Sequence, residues 1–454
     1  MDLAVIILAA GQGKRMQSEL PKVLHSVGGR SLLAHVVDTA RKLKPESIRI
    51  VYGHGGDSVK TLFEHAELRW CLQAEQLGTG HAVMQALPEI GPATTVLVLY
   101  GDVPLIRPET LQELLKNLEQ HAVSLLSVIL NEPAGYGRII RDDAGRVRRI
   151  VEERDAKAAE IAITEVNTGI LAATAGDLNR WLGAIRSDNA QQEYYLTDCI
   201  ELAVAEGGAV HAHVCRDPDE VQGINDKLQL ARTERAYQRR QTNELMRQGV
   251  TVLDPERLDV RGRVAVGRDV TLDTNVILEG EVALGDGASI GANCVIRDGS
   301  IGAHTQVLPH CLIDKARIGA YCRIGPFARI RPHTSLGDHV HIGNFVELKA
   351  SCVDDGTKVN HLSYIGDTEL GGRTNIGAGT IVCNYDGTDK HRTRIGHDVF
   401  IGSDVQLIAP VTVNDGATIG AGSTITKDAP PGELTLSRSR QTTVKGWQRP
   451  KKKN

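Results

Sequence analysis

The sequence predicts two folds in one chain: an α/β domain built on a mostly parallel sheet, then a left-handed parallel β-helix of hexapeptide repeats. Three observations carry this expectation. Over residues 1–227 apolar runs of strand length alternate with amphipathic helical stretches, the order that builds right-handed βαβ units. From about residue 250 aliphatic side chains recur at every sixth position, a period of neither a helix nor an isolated strand. And 47 glycines stand against 4% aromatic residues, which suits stacked coils of small residues better than one large core.

In the first half, Val5-Ile6-Ile7-Leu8 reads as a fully buried strand. Residues 31–43 follow as a helix with Leu32, Leu33, Val36, Val37 and Ala40 on its inner face. Ile48-Arg49-Ile50-Val51-Tyr52 and Val96-Leu97-Val98-Leu99-Tyr100 are the next strands. Ligands of such sheets collect at the carboxyl ends of the strands, where Gly11 and Gly101 fall. Residues 228–248 form a polar helical stretch stopped by Gly249; it reads equally as a connector or as the last helix of the first domain. The expected division is 1–227, a helical linker 228–248, and 249–454.

In the second half the aliphatic series runs Val266, Leu272, Leu278, Leu284, Ile290, Ile296. After a one-residue slip it resumes at Ile301, Val307, Ile313, then at Ile318, Ile324, Ile330, Leu336, Ile342, Leu348, and finally at Ile395, Ile401, Leu407, Val413, Ile419, Ile425. Each aliphatic is expected to point inward and stack on its equivalent in the next coil. Glycine follows it often, as at Gly291, Gly325, Gly343 and Gly402, and is expected to serve a tight corner. The rhythm breaks around 351–364 and 384–394, read as loops on the outside of the solenoid.

The 454 residues are enough for two or three cores, and the net charge of −4 argues against a general nucleic-acid binder. Eight cysteines include no C-x-x-C pair, so neither a zinc ribbon nor a redox dithiol is expected. Scattered thiols suit a reducing cytoplasm. The apolar run 3–10 is too short to cross a membrane.

Leu8-Ala9-Ala10-Gly11-Gln12-Gly13-Lys14-Arg15-Met16, followed by Pro21-Lys22, comes directly after the first strand. Its glycines let the backbone approach phosphate oxygens. Arg15 and Lys22 are placed to neutralise a triphosphate and the charge on a leaving pyrophosphate. Neither a third glycine nor a Gly-Lys-Ser/Thr step is present, which excludes the dinucleotide fingerprint and the P-loop. The segment resembles the loop of the sugar-phosphate nucleotidyltransferases, a Rossmann-like family. Lys14 departs from the Thr usual there.

Further segments resemble the uridylyl-transferring branch. The stretch from Gln73 through Gly78, Thr79 and Gly80 resembles its uracil-reading loop, and Tyr100-Gly101-Asp102 follows a buried strand. Gly135-Tyr136-Gly137-Arg138, Glu152 and Asn167-Thr168-Gly169 resemble the sugar pocket. Taken singly, Asp102 reads as well as a loop residue, Asn225 as a helix cap and Glu152 as a solvated charge. Taken in this order, the resemblance implies Mg²⁺ held by Asp102 and Asn225, with the phosphate of a sugar 1-phosphate attacking the α-phosphorus of UTP.

In the β-helix, Arg331 and Lys349 are 18 residues apart, so they should stack as two cations suited to a sugar phosphate; solvated surface charges are the alternative. His361 is a candidate general base beside them. From residue 325 through 438 the chain resembles the acetyltransferase half of the bifunctional N-acetylglucosamine-1-phosphate uridyltransferase/glucosamine-1-phosphate N-acetyltransferase family, and the resemblance extends over the whole chain. It implies His361 as the base, with Arg331, Lys349, Tyr364 and Asn375 on the sugar phosphate. It implies Ala378, Asn384, Tyr385, Ser403, Ala421 and Arg438 on acetyl-CoA. It also implies a cytoplasmic homotrimer serving peptidoglycan and lipopolysaccharide synthesis. Two other readings compete: a single-function nucleotidyltransferase with a regulatory β-helix, and a scaffold subunit with a decayed site. The intact His361, Lys349 and Asn384-Tyr385 oppose the first, and the intact Lys22, Asp102 and Asn225 oppose the second. The basic tail from Arg449 to Lys453 reads as solvated.

Overall fold

A computed structural model of the chain describes residues 2–11, 13–53, 56–61, 63 and 67–450. Gln12 of the glycine loop and Lys451, Lys452 and Lys453 of the tail lie outside the described residues. The chain divides into two compact units, Met1–Tyr237 and Gln238–Asn454.

The first unit is built on a nine-stranded sheet. At its centre Leu3–Ala9 pairs in parallel with Ser47–Tyr52 on one side and Thr95–Tyr100 on the other. The strand order therefore reverses at this strand, which opens a crevice beyond its carboxyl end. The central strand is buried on both faces: Val5 and Ile7 join one apolar cluster, Ile6 and Leu8 the other. Glu165–Thr174 runs antiparallel between Thr95–Tyr100 and Val123–Ile129. The helix expected over 31–43 spans Leu32–Lys42, and the Ser31 hydroxyl caps it by accepting from the Ala34 N–H at 3.3 Å.

The polar helix spans Lys227–Arg247, and the division between units falls inside it. In its first half Tyr237 packs edge-on against His35, ring centroids 5.3 Å apart. In its second half the Gln238 amide bonds both ways with the Val260 backbone, at 3.0 and 2.7 Å.

The second unit is a solenoid with strands on three faces per coil, grouped in an 11-stranded and a 17-stranded all-parallel sheet. Register gives the coil length directly. Ile290 pairs with Val307, Val307 with Ile324, Ile324 with Ile342, and Ile376 with Ile401, so these coils are 17 or 18 residues long with one of 25; the first, from Thr251 to Thr271, and the last, from Thr418 to Leu434, differ from both. The hexad aliphatics from Leu272 onward are buried, none more than 5% exposed; each contributes on the order of 1.5–3 kcal/mol of burial.

Two expectations are corrected here. The break at 351–364 is not an insertion. Cys352–Val353, Lys358–His361 and Tyr364–Gly366 are ordinary strands, and Val353, Val359 and Ile365 continue the six-residue series after one shortened corner at Ala350. Only the break after Cys383 is a true excursion, and it makes the 25-residue coil. The glycine that often follows the aliphatic is expected to serve a tight corner, and of the four named only Gly325, at φ +93°, has the left-handed backbone of one. Gly291, Gly343 and Gly402 have none of the left-handed backbone, which falls two residues later at Asn293, Phe345 and Asp404. A Cβ on Gly343 would sit 1.9 Å from the Asn360 carbonyl oxygen, and one on Gly402 2.5 Å from Ala421 N. The glycine is needed so that one coil can close on the next.

Candidate active sites

In the first unit a cavity of 380 Å³ opens at the strand-order reversal, lined by Leu8, Ala9, Ala10, Gly11, Lys22, Gln73, Gly78, Thr79, Tyr100, Asp102 and Asn225. The two loop glycines differ in role. A Cβ on Gly11 would meet nothing within 4 Å, whereas Gly13, at φ +61°, leaves room for Lys22, whose Cβ would be 2.8 Å away. The Lys22 ammonium forms an ion pair with the Asp102 carboxylate and donates to Asn225 Oδ1 at 3.3 Å. Two oxygens far apart in sequence thus converge on a single cation. Hard oxygen donors of this kind fit a hard divalent ion. Among the described residues no group of three or more His, Cys, Asp or Glu side chains could hold a metal.

Deeper in the same region Tyr100 is held by burial, and by the nearby Glu152 and Asp102 carboxylates, well above the usual phenol range. Gly169 makes space for its ring, which a Cβ would approach to 2.4 Å. Burial also raises Glu152, and a 3.0 Å hydrogen bond from the Thr197 hydroxyl opposes the rise. The Gly137 carbonyl accepts from Asn167 N at 2.8 Å, and Asn167 Oδ1 accepts from Gly169 N at 3.1 Å. Gly101 N donates to the Leu8 carbonyl at 2.9 Å, behind the cavity wall.

In the second unit, register aligns residues that are distant in sequence. Asn344 pairs with His361, and the step that pairs Val359 with Ile376 brings His361 level with Ala378. The steps from Ile376 to Ile401 and on to Ile419 bring Ser403 and Ala421 into the same column. Arg438 Nη1 donates to the Ala421 carbonyl at 3.0 Å. Five residues of one corner therefore form a single strip. In it, His361 Nδ1 lies 2.9 Å from Asn344 Oδ1; the ring donates there, and Nε2 keeps its lone pair for an incoming proton.

On the adjoining face Arg331 Nη1 donates to Glu347 at 2.8 Å and Lys349 Nζ to Asp367 at 3.4 Å. Asn384 Nδ2 donates to the same Asp367 oxygen at 2.5 Å. The pairing of Ile330 with Leu348 puts Arg331 level with Lys349, as the 18-residue spacing predicts. The Tyr364 hydroxyl lies over Gly366, where a Cβ would be 2.5 Å away. Lys390, from the excursion after Cys383, lies against Lys349, which lowers its ammonium pKa, with Arg331 adding to the effect. Asn375 sits on another face, between Lys358 and Phe400 in its sheet. Tyr385 is 59% exposed on the excursion.

Comparison with known proteins agrees with both halves. Residues 5–162 match the MobA-like NTP transferase domain, 260–342 the GMPPB C-terminal domain, and 392–427 the bacterial transferase hexapeptide (six repeats). Relatives named bifunctional protein GlmU span the whole chain. That of Thiobacillus denitrificans is 57% identical, over 99% of this chain and 98% of its own length. That of Methylococcus capsulatus is 56% identical, over 100% and 98%, and that of Alkalilimnicola ehrlichii 55%, over 99% and 96%. The chain belongs to the bifunctional GlmU family. As a GlmU protein it is a nucleotidyltransferase and an acetyltransferase, serving UDP-N-acetylglucosamine synthesis.

Set against the sequence reading, the GlmU fold gathers Lys22, Asp102 and Asn225 around one point and puts Arg15 on the exposed rim of the loop, outside the cavity lining. Glu193 also lines the cavity, and nothing in the chain marked it. Asn344 as the partner of His361 and Lys390 as a third cation were missed too. Asn344 carried a usable signal, since it stands one 17-residue coil before His361. No helix among the described residues is long and apolar enough to cross a membrane.

Proposed function

We propose the following division of labour within this bifunctional enzyme. Residues 1–227 carry uridylyl transfer, 228–248 connect, and 249–454 carry acetyl transfer. Glucosamine 1-phosphate is acetylated first. Arg331, Lys349 and Lys390 hold its phosphate and Tyr364 its sugar; Asn375, which the family resemblance also assigns to the sugar phosphate, lies on another face of this chain. His361 Nε2 takes the proton of the amine as it attacks the thioester carbonyl of acetyl-CoA, and CoA leaves. Ala378, Asn384, Tyr385, Ser403, Ala421 and Arg438 hold the donor. The observation that carries this reading is the strip itself: the base stands in line with Ala378, Ser403 and Ala421, so a donor lying along the corner presents its thioester to His361.

The N-acetylglucosamine 1-phosphate then reacts in the first unit. Residues 8–11 and Gln73, Gly78 and Thr79 hold UTP; Gly137, Glu152 and Asn167 hold the sugar. Lys22, with Arg15 on the rim, offsets the charge on the departing pyrophosphate. Asp102 and Asn225 would hold Mg²⁺, which when bound offsets the repulsion between the two phosphates. Transfer is direct, with no covalent enzyme intermediate.

The enzyme works as a cytoplasmic homotrimer. In support, His310, Phe327 and Phe345 form an exposed ladder of stacked rings, centroids 4.8 and 5.2 Å apart, apolar surface that lateral packing would cover. Sedimentation of the purified protein tests the assembly. The activities are tested with glucosamine 1-phosphate, acetyl-CoA, UTP and Mg²⁺, following CoA and pyrophosphate separately. In His361→Ala, CoA release falls by roughly a hundredfold or more, and pyrophosphate release from N-acetylglucosamine 1-phosphate persists. Pyrophosphate without CoA in the unaltered enzyme would overturn the acetyl assignment.

A further inference from the structure

The segment that follows Glu193 is tied to the cavity-lining loop on one side and to Glu152 on the other. Tyr194 N donates to the Leu77 carbonyl and Gly80 N to the Tyr194 carbonyl, each at 2.8 Å. Leu196 N donates to the Thr79 hydroxyl at 3.1 Å. One residue on, the Thr197 hydroxyl donates to Glu152 Oε1 at 3.0 Å. Gly78, at φ +107°, allows the close approach: a Cβ there would be 2.7 Å from the Tyr194 carbonyl oxygen.

Thr197 occupies the N-cap position of the helix Asp198–Ala205, yet its side chain makes no cap bond. A threonine at that position ordinarily turns its oxygen onto its own helix. This one is 7% exposed and gives its hydroxyl proton to a carboxylate in a different part of the fold. Glu152 needs that bond, because burial first and nearby acids after it oppose its charge. Asp155 and Glu193 both press on it, and Asp198 and Tyr100 lie close enough to feel its charge.

We infer that Thr197 is a positioning residue for uridylyl transfer. It fixes Glu152 so that the other carboxylate oxygen accepts from a sugar hydroxyl, and through residues 194–196 it ties that carboxylate to the loop that holds the nucleotide. The inference rests on the proposed place of Glu152 in the sugar pocket.

The test compares Thr197→Val, Thr197→Ser and Glu152→Gln in the full chain, with the thermal midpoint of the first unit as the folding control. In Thr197→Val the KM for N-acetylglucosamine 1-phosphate rises about tenfold, the loss of a hydrogen bond to a charged group, while the KM for UTP changes much less. The acid limb of kcat/KM for the sugar moves to higher pH, because the bond that holds Glu152 ionised is gone. Thr197→Ser restores both. If Glu152→Gln leaves the sugar KM unchanged, the sugar-pocket reading fails and this inference with it. If Glu152→Gln raises the sugar KM but Thr197→Val neither raises it nor moves the acid limb, the sugar-pocket reading stands and the inference about Thr197 is overturned.

Discussion

Asn344 Oδ1 lies 2.9 Å from His361 Nδ1, across one turn of the solenoid. The contact chooses the tautomer: with the proton on Nδ1, the free lone pair is on Nε2. Asn344→Ala is therefore expected to lower kcat for CoA release by about five- to tenfold, the worth of one hydrogen bond. Pyrophosphate release should not change. A steady-state comparison with the unaltered enzyme checks this.

Asp102 carries the negative charge at the convergence of Lys22 and Asn225. Asp102→Asn keeps the shape and removes the charge. Uridylyl transfer is expected to fall by roughly a hundredfold or more and to need a higher Mg²⁺ concentration for half-activity. Acetyl transfer should stay the same. Titration of both reactions with Mg²⁺ reads the two effects together.

Gly343 is fixed by the coil beside it, since a Cβ would lie 1.9 Å from the Asn360 carbonyl oxygen. Backbone cannot move aside as a flexible side chain does. Gly343→Ala should destabilise the second unit by about 2 kcal/mol or more, seen as a lower thermal midpoint by calorimetry.

Asp198 is pushed up to about 6, first by burial and then by Glu152 and Glu201. The folded carboxyl holds its proton over a range where the unfolded one has lost it. This group's contribution to stability therefore declines as pH rises from about 4, the ordinary aspartate value, through 6, and is level above that. Asp198→Asn should raise the midpoint of the first unit at pH 7 and change it little at pH 4.

Much of this was legible in the chain because both folds write their geometry as a period. The aliphatics from Leu272 to Ile425 point inward as a spacing of six requires, and the arithmetic that aligned Arg331 with Lys349 holds in the register. The same arithmetic failed at 351–364, where a corner one residue shorter at Ala350 looked like an insertion. Glycine after many of the aliphatics was visible, but its reason at Gly343 and Gly402 was not. The collision it avoids is with a residue a full coil away, and only the stacked structure shows that partner. Thr197 was illegible for a related reason: its position says helix cap, and its bond to Glu152 exists only in three dimensions.

The 25-residue coil between Ile376 and Ile401 leaves the corner strip unbroken, because its extra residues leave the solenoid after Cys383 and return by Thr393. Position along the strip is thus measured in turns rather than in residues. The excursion that brings Lys390 to Lys349 is free to lengthen, shorten or change its tip without altering the distance from His361 to Ser403. The loop that carries Tyr385 and Lys390 is written in residues, and the strip beneath it is written in turns.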